Sequence, residues 1–362
     1  MAHATMMMIP EAWSNNPLMD PARRAFYEYH VLIRQAARDP GSVPEIYHFD
    51  ETQALIVMEY LSPHVILRTK LIAGERVEGL GERLGLFCAR TAFRGSELSM
   101  VSADKKADVG LFSGNVEIPA ITEGLVFRDP YFDAEMNHHT EGLDPVVKTL
   151  RDDVAMKGEV QALFRAFSAK SETLCHGDLH SGSAMCTGDE TKVIDPEFGF
   201  YGPFGFDLGM LIANYLMAYF SQPAHRGADL AAYQEWILDV IDETCTVFAA
   251  EFMRLWETER TGMLYDRALF EDQGHSSHAA LRQVLDDIWR DCLGYCGIEM
   301  HRRVLSLAHN ADFESIEDVA VRAPLEARNL MMGRDLILTR NVIANQAALC
   351  DMARKWNEET VL

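Results

Sequence analysis

The chain has 362 residues, of which 48% are hydrophobic, so it can bury a large core as one bilobal or two-domain globular protein. A formal net charge of −22 argues against nucleic acid and anionic membrane surfaces as partners, because both would repel the protein. The seven cysteines lack C-x-x-C spacing, which argues against a zinc site and favours a reduced, cytoplasmic setting.

The first predicted helix follows an amino-terminal segment, residues 1–19, that has neither the basic start nor the long apolar run of a signal peptide. Asp20 and Pro21 predict the helix start, because aspartate is a good cap and proline suits the first turn. The helix should end before Pro40 and carry an apolar face at helical spacing. That face is predicted at Phe26, Tyr29, Ile33 and Ala37.

A hairpin is predicted next, with strands over 45–49 and 54–58 and a tight turn between them. The run I-V-M-E-Y-L-S-P-H then indicates a strand that passes into a linker. From Glu78 onward the chain is predicted to be mostly helical, with one long helix over 144–168. A buried stripe is expected at Leu80, Leu84, Phe87, Cys88, Thr91 and Phe93.

The most informative stretch runs from Leu174 to Glu197. It places one carboxylate, Asp178, on a loop and two more, Asp195 and Glu197, at the end of a short apolar strand. A hairpin turn over 187–190 separates the loop from that strand. Protein-kinase-like phosphotransferases arrange their chemistry in this way. In those enzymes a loop carboxylate accepts the proton of the substrate hydroxyl, and a second acidic site holds the Mg²⁺ that bridges the phosphates.

The residue types suit that reaction. Phosphoryl transfer requires alignment and neutralised charge more than covalent chemistry from the protein, and Mg²⁺ prefers oxygen ligands. Asp178 is therefore the predicted base, and Asp195 and Glu197 are the predicted metal ligands. His176 is expected to brace the loop rather than to react.

Asp207 follows a loop rich in glycine and aromatic residues, and we expect it to cap an apolar helix over 208–220 and to brace the catalytic loop. The clearest breaks are predicted at 221–223 and 271–277. Further helices are predicted over 228–257, 278–296, 299–309 and 315–339, the last from a start at Ser315 that resembles a capping box.

Two adjacent arginines, Arg302 and Arg303, lie on one of these helices. Guanidinium groups can hydrogen-bond sugar hydroxyls and stabilise the charge that develops during phosphoryl transfer. Because adjacent residues on a helix point about 100° apart, only one of the pair, preferably Arg302, is expected to face a site. The plainer interpretation of such a pair is solvated surface.

The segments H-G-D-L-H-S-G-S and V-I-D-P-E-F-G-F-Y-G-P-F-G-F-D-L-G resemble the 5-methylthioribose kinase family, a branch beside the aminoglycoside and choline phosphotransferases. The resemblance extends from about Trp13 to about Leu338. It implies an α+β, protein-kinase-like bilobal fold, with a reduced N-terminal lobe over 1–61 and a helical C-terminal lobe over 62–362. It also implies a cytoplasmic homodimer that phosphorylates the 1-hydroxyl of 5-methylthioribose with ATP and Mg²⁺ in methionine salvage.

The same resemblance assigns residues to the two substrates. Adenine is expected to be read by main-chain groups of the linker. The residues implied for ATP and its metal are Glu59, Tyr60, Leu61, Ser183, Asp195, Pro196 and Glu197. Those implied for methylthioribose are Asp178, Arg302 and Arg303. Ser183 stands where related phosphotransferases usually carry an asparagine metal ligand, and Glu28 is either the partner of the nucleotide-binding lysine or a solvated helix residue.

One departure from the family pattern concerns the phosphates. Kinases grip them with glycine-rich strands and a lysine, which should precede the helix near Asp20, but residues 1–19 contain neither glycine nor lysine. The segment from Trp13 to Pro17 resembles the tryptophan-bearing loop that follows that lysine. We therefore expect poor phosphate transfer. A truncated form of an active kinase is the preferred explanation, and a natural short protein that binds ligand without turnover is the alternative.

Two alternatives remain open at the level of sequence. A phosphotransferase for another small alcohol, such as an aminoglycoside or choline, would share the central motif, although a cationic substrate would favour an acidic pocket over an arginine pair. A non-catalytic homologue that binds ligand would be consistent with the absent lysine. Substrate profiling tests the first alternative, and calorimetry of ATP·Mg binding without turnover tests the second.

Overall fold

The computed structural model describes residues 20–362, and its elements are numbered here in chain order. The strands are β1 (Ile46–Asp50), β2 (Leu55–Met58), β3 (Val65–Ile66), β4 (Thr173–Cys175), β5 (Ala184–Cys186), β6 (Thr191–Val193) and β7 (Phe200–Gly202). The helices are α1 (Pro21–Arg38), α2 (Leu67–Ala73), α3 (Leu80–Arg94), α4 (Ser102–Phe112), α5 (Glu117–Phe127), α6 (Asp144–Asp152), α7 (Val154–Ala169), α8 (Phe206–His225), α9 (Leu230–Thr258), α10 (His278–Leu305), α11 (Ala311–Glu314), α12 (Val319–Thr339) and α13 (Gln346–Glu358). The chain is therefore α+β with a large helical part, as expected.

Helix α1 has the predicted start but a different buried face. The Asp20 side chain accepts a hydrogen bond from the Ala22 N–H, and the helix ends at Arg38, before Pro40. The face predicted from Phe26 is only partly buried, because it turns toward the β1–β2 hairpin, where Tyr29 stacks on Phe49 with ring centroids 4.1 Å apart. The face that packs into the core instead comprises Tyr27, Val31, Leu32, Gln35 and Arg38.

Short antiparallel strands frame the stretch from Leu174 to Glu197. Strands β1 and β2 form the predicted hairpin, each beginning one residue later than expected. Strand β5 pairs with both β3 and β6, and β4 pairs with β7. The predicted turn between β5 and β6 is closed by a hydrogen bond from the Thr187 N–H to the Glu190 carbonyl (2.9 Å). These strands hold the loop of Asp178 beside the residues that follow β6.

Helix α8 is the centre of the helical part. Apart from Asp207, every residue from Phe206 to Gln222 is buried, because the helix is apolar around its whole circumference and packs against α9, α10 and α12. Gly209 permits the close approach of α10, since a Cβ at this position would lie against the Cys292 carbonyl. The stripe predicted on α3 is buried as expected.

The break predicted at 221–223 was wrong, because α8 continues through Pro223 to His225. Proline has no N–H to donate to the carbonyl four residues earlier, which belongs to Tyr219. The Gln234 side chain supplies that hydrogen bond instead, with its Nε2 3.1 Å from the Tyr219 carbonyl oxygen. A partner from α9 therefore stabilises a helix that the local sequence would end.

Other helix boundaries also differ from prediction. The helix expected over 144–168 is divided at Asp153, which takes an extended conformation and accepts a hydrogen bond from the Met156 N–H to start α7. The helices expected over 278–296 and 299–309 are one helix, α10, and Gly297 lies inside it at the crossing with α12. Helix α12 begins at Val319 under a cap from Asp318 rather than at Ser315.

All seven cysteines are free and buried. Across the described range 20–362, the apolar stretches of the helices are too short to cross a bilayer.

Candidate active site

The loop between β4 and β5 carries Asp178 and is fixed by a buried carboxylate. Asp207, in the first turn of α8, accepts hydrogen bonds from the main-chain N–H groups of His176 (2.6 Å) and Gly177 (3.1 Å). The His176 ring accepts from the Asp178 N–H at Nδ1 (3.3 Å), so its Nε2 carries the proton and donates to the Ile194 carbonyl (2.9 Å). The bracing predicted for His176 and Asp207 is present, but Asp207 does not cap α8, which has no side-chain cap.

Three side chains bind the carboxylate of Asp178. Its Oδ1 accepts from Arg302 Nη1 (3.1 Å) and Arg303 Nη2 (3.0 Å), and its Oδ2 lies 3.2 Å from His180 Nε2. Burial alone would raise the pKa of Asp178, but these neighbours hold that pKa well below its usual range. The carboxylate is thus ionised at neutral pH and is held by one partner from its own loop and two from the last turn of α10.

Both members of the arginine pair lie at this carboxylate, so the expectation that only one would face it was wrong. Arg302 and Arg303 are 3% and 6% exposed, which also excludes a solvated surface pair. The reason is Glu299, a fully buried carboxylate one turn earlier on α10. It binds Arg302 Nη1 (3.2 Å) and Arg303 Nε (2.5 Å), so that the two long side chains converge despite their angular separation.

The residues after β6 bring further carboxylates together. Asp195 has a left-handed backbone (φ +62°), and Glu197 is buried with Arg24 Nε 2.6 Å from its Oε2. The side chain of Asp195 is accessible to solvent. Desolvation by the surrounding protein and the charges of Glu197 and Glu28 nevertheless raise its pKa to about 8. Burial and the Glu197 charge raise the pKa of Glu28 to about 7. Glu28 is therefore not a freely solvated residue. The charge of Asp178 also raises the pKa of Asp195 and of Glu197, which places the two acidic groups within electrostatic reach of each other.

The carboxylates that follow β6 suit Mg²⁺ in type and number. Over residues 20–362, no three His, Cys, Asp or Glu side chains are already arranged as a metal cage. Magnesium commonly takes one or two carboxylates and completes its shell with water and substrate phosphates, so Asp195 and Glu197 are a sufficient set. Burial raises the pKa of Asp195 most, and neighbouring carboxylate charges that Arg24 only partly offsets raise it further. The residues present fit a divalent cation.

The linker residues predicted for adenine lie at the end of β2. The Glu59 N–H donates to the Glu45 carbonyl (2.8 Å), and the Glu59 carboxylate binds Lys192 Nζ (2.9 Å) on β6. This ion pair, which the sequence did not suggest, fixes the linker to the sheet of β3, β5 and β6. Tyr60 is 73% exposed and Leu61 is partly buried.

Ser183 and Pro196 have structural contacts at their predicted positions. Ser183 Oγ donates to the Asp178 carbonyl (2.9 Å), which closes the catalytic loop. The carbonyl of Pro196 accepts from the Gly199 N–H (3.1 Å) in the turn that follows β6. Trp13, Asn15 and the rest of residues 1–19 lie outside the described residues.

The sequence is similar to proteins of a known family. Residues 15–244 match the sequence profile of the family described as "Phosphotransferase enzyme family". A methylthioribose kinase from Escherichia coli O45:K1 (strain S88 / ExPEC) is 40% identical over 338 residues, which cover 91% of this chain and 80% of that protein. The chain belongs to the methylthioribose kinase family. It is thus a small-molecule kinase, with the kinase-like fold that the motifs predicted.

Similarity to this family extends across bacteria and plants. Methylthioribose kinase 1 from Oryza sativa subsp. japonica is 39% identical, over 88% of this chain and 75% of its own length. Methylthioribose kinase from Geobacillus thermodenitrificans (strain NG80-2) is also 39% identical, over 92% and 78%. Among solved structures, a glucosamine kinase aligns with 84% of this chain and 69% of its own at 13% identity and a TM-score of 0.48.

In this methylthioribose kinase homologue, sequence reasoning missed four residues of the site. His180 was visible, since it stands inside the H-G-D-L-H motif. Glu299 was also visible, because residues three and four apart share a helix face and it precedes both arginines at that spacing. Arg24 and Arg68 gave no signal, because each reaches the site from an element remote in sequence.

Arg68 links the catalytic loop to the helical part. Its Nε lies 3.1 Å from Ser181 Oγ and 3.1 Å from Asp312 Oδ2, and its Nη2 donates to Asn214 Oδ1 (2.9 Å). The same Nη2 lies 3.4 Å from His180 Nδ1. One guanidinium therefore connects the loop with α8 and α11.

Proposed function

We propose that this chain transfers the γ-phosphoryl group of ATP to the 1-hydroxyl of methylthioribose, in methionine salvage and in the cytoplasm. The observation that carries the proposal is the 40% identity to a methylthioribose kinase over 91% of the chain. The geometry supports it, because a loop carboxylate bound by two buried arginines lies within electrostatic reach of a second acidic group.

In the proposed reaction, the oxygen of the substrate hydroxyl forms a bond to the γ-phosphorus. The bond from that phosphorus to the oxygen bridging the β-phosphate breaks, and its electron pair leaves with ADP. The hydroxyl proton passes to Asp178, which is available as an acceptor because its pKa is held low. A weak base suits a loose transition state, in which the proton is transferred late.

Asp195 and Glu197 are the proposed metal-holding residues. Mg²⁺, when bound with ATP, neutralises charge on the phosphates and orients them. The guanidinium of Arg24 binds Oε2 of Glu197, so Oε1 of Glu197 is left for the metal. Ser183 and Pro196 are proposed to line the nucleotide side of this group.

Arg302 and Arg303 are the proposed contacts of methylthioribose and of the transferred phosphoryl group. Arg302 Nε is buried and has no hydrogen-bond partner in the described part of the chain. A buried donor in that state is satisfied when a ligand oxygen arrives. A guanidinium pair favours two kinds of ligand: anionic phosphoryl groups and uncharged sugars that are rich in oxygen.

The nucleotide base is proposed to lie against the linker. The Glu59 carbonyl and the Leu61 N–H would pair with the adenine edge, with Tyr60 between them, while the Glu59 side chain stays on Lys192. We propose residues 1–61 as the nucleotide-side lobe, residues 62–362 as the substrate-side lobe, and a homodimer as the assembly.

The experiment that tests the proposed function is product formation by the purified chain with ATP, Mg²⁺ and methylthioribose. We expect a methylthioribose phosphate in phosphorus NMR and mass spectra, at a rate that depends on enzyme and Mg²⁺ concentration. Choline and an aminoglycoside such as kanamycin, assayed in parallel, should be poor substrates, because they bring cationic groups to an arginine pair.

Faster turnover of choline or kanamycin would replace the proposed substrate. Calorimetry separates the remaining alternative: ATP·Mg binding with no transfer to any of these alcohols would favour a ligand-binding homologue.

A further inference from the structure

The proton of the His180 ring can be located from the groups around it. The Gly182 N–H lies 2.8 Å from His180 Nδ1, and Arg68 Nη2 lies 3.4 Å from the same nitrogen. Both groups are donors, so Nδ1 must present a lone pair. Ser183 Oγ also lies 3.4 Å from Nδ1, but its hydroxyl proton is directed to the Asp178 carbonyl.

It follows that His180 is neutral and carries its proton on Nε2. A charged ring would direct an Nδ1–H at the Gly182 N–H and at the guanidinium of Arg68. Burial and the charges of Arg303 and Arg68 also lower the pKa of His180, to about 4, although Asp178 opposes the shift. Nε2 therefore donates to Oδ2 of Asp178 across 3.2 Å.

The hydrogen bond from His180 leaves the Asp178 carboxylate with a single open acceptor position. An ionised carboxylate offers about four lone-pair positions, two on each oxygen. On Asp178, Oδ1 accepts from Arg302 and from Arg303, and Oδ2 accepts from His180. One position on Oδ2 remains, and its direction is fixed by the three donors that fill the others.

We propose that His180 is a positioning residue, which orients the Asp178 carboxylate so that the remaining lone pair of Oδ2 faces the substrate hydroxyl. The proposal rests on the proposed role of Asp178 as proton acceptor. The two arginines bind only Oδ1, so they do not by themselves fix the position of Oδ2. His180 fixes the position of Oδ2. Arg68 and Gly182 act one step further out, by fixing which nitrogen of His180 donates.

Two amide variants separate this role from support of the loop. In His180→Asn the side-chain oxygen can take the place of Nδ1 and accept from Gly182, but the amide is too short to reach Asp178. In His180→Gln the terminal N–H₂ can take the place of Nε2 and donate to Asp178. We expect kcat to fall about 10–100-fold in His180→Asn, since a misplaced catalytic group costs about that much, and to recover to within about fivefold of wild type in His180→Gln. The KM for ATP should stay within about twofold in both.

A spectrum tests the proposal without turnover. Long-range ¹H–¹⁵N correlation of histidine-labelled protein at pH 7, with the His180 signals assigned by their loss in His180→Gln, should show a neutral ring protonated at Nε2. A charged ring, or a proton on Nδ1, would overturn the proposal. So would wild-type kcat in a folded His180→Asn variant, or equal losses in the two variants. Should the wild-type chain fail to phosphorylate methylthioribose, the proposed function fails, and the spectrum then decides the role of His180 alone.

Discussion

At Asp178, donors from the loop and from the end of α10 meet on a single carboxylate. The charge balance there depends on Glu299, because two guanidinium groups face one aspartate. Glu299 supplies the second negative charge and is fully buried, and its carboxylate is bound by those two arginines. The arrangement explains how two adjacent helix residues can serve one site.

Replacement of Glu299 by glutamine should therefore destabilise the fold as well as the site. The change leaves two buried guanidinium groups with one carboxylate, and loss of a buried partner costs about 3–5 kcal/mol. Urea unfolding at pH 7 measures the loss. The exposed Glu235, which pairs with Arg354 on the surface, is the matched control, and Glu235→Gln should stay within about 0.5 kcal/mol of wild type. Equal losses in the two variants would contradict this account.

Among the elements, α10 and α12 cross at a point where only glycine fits. A Cβ on Gly297 would overlap the carbonyl of Gly333, and a Cβ on Gly333 would lie against the His301 ring. The crossing holds α10 at the depth that delivers its last turn to the catalytic loop. For this reason the two helices predicted over 278–309 are one, because the glycine marks a contact rather than an end.

Gly297→Ala should reduce the free energy of unfolding by about 1–3 kcal/mol, the usual cost of overpacking. Gly158→Ala is the control, because Gly158 lies inside the exposed part of α7 and a methyl group added there would have nothing within 4 Å. That variant should be more stable by about 0.5–1 kcal/mol, since alanine is the better helix former. Thermal unfolding of both variants checks the sign of each change, and stabilisation by Gly297→Ala would refute the packing account.

An ion network joins the end of α1 to α3 and α9. Glu251 accepts from Arg90 Nε (2.7 Å) and Arg254 Nε (2.7 Å), and Arg90 also donates to Asp39 (2.9 Å). The hydrogen bond from Arg254 lowers the pKa of Glu251 most, burial opposes it, and with Arg90 the pKa reaches about 2. The ionised form of Glu251 is therefore the one that stabilises the fold.

Glu251→Gln should cost about 2 kcal/mol at pH 7, the scale of hydrogen bonds to a charged group. Because the folded-state pKa is depressed, the contribution is complete above the ordinary value of 4.5 and is lost as pH falls toward about 2. Urea unfolding at pH 7, 4 and 3 should show the wild type and the variant converging on acidification. A gap that is constant across this range would show that the charge of Glu251 is not the cause.

The sequence predicted the elements whose signals are local and missed those that depend on distant partners. Asp20 and Pro21 place the start of α1, and the turn over 187–190 places the β5–β6 hairpin, because capping and turn chemistry act within a few residues. Pro223 led to a wrong prediction of a helix end. The Tyr219 carbonyl, which Pro223 cannot serve as a donor, accepts a hydrogen bond from Gln234 of another helix. The packed face of α1 could not be chosen from spacing alone, because two faces are apolar and the choice depends on α4, β4 and β7.

The same distinction applies to the site. Asp178, Asp195 and Glu197 could be named as candidates because phosphoryl transfer requires those residue types, and their roles remain proposals. The convergence of Arg302 with Arg303, and the contacts of Arg24 and Arg68, depend on helix packing that the motif does not encode. The expectation that this chain transfers phosphate poorly remains a prediction.

For the whole molecule, the proposed function predicts that metal and nucleotide bind together. No three-ligand cage exists across the described residues, so Mg²⁺ alone should bind weakly and bind better with the phosphates it bridges. ADP with Mg²⁺ should raise the melting temperature more than ADP with EDTA or Mg²⁺ alone, because a ligand that binds only the folded state stabilises it by RT ln(1 + [L]/Kd), which is larger for the tighter complex. Glu197→Gln should remove the metal-dependent part and leave the effect of ADP in EDTA. A metal-dependent shift that survives in this variant would exclude Glu197 as a ligand.

The central claim concerns Asp178, and the most direct measurement is the kcat of Asp178→Asn with ATP, Mg²⁺ and methylthioribose, beside calorimetric binding of an unreactive ATP analogue. Asparagine keeps the shape of the side chain but cannot take the proton. We predict a fall in kcat of about 10²–10⁴-fold, the usual contribution of a positioned base, with analogue affinity within about twofold of wild type. Near wild-type kcat in the folded variant would contradict the assignment of Asp178 as the proton acceptor.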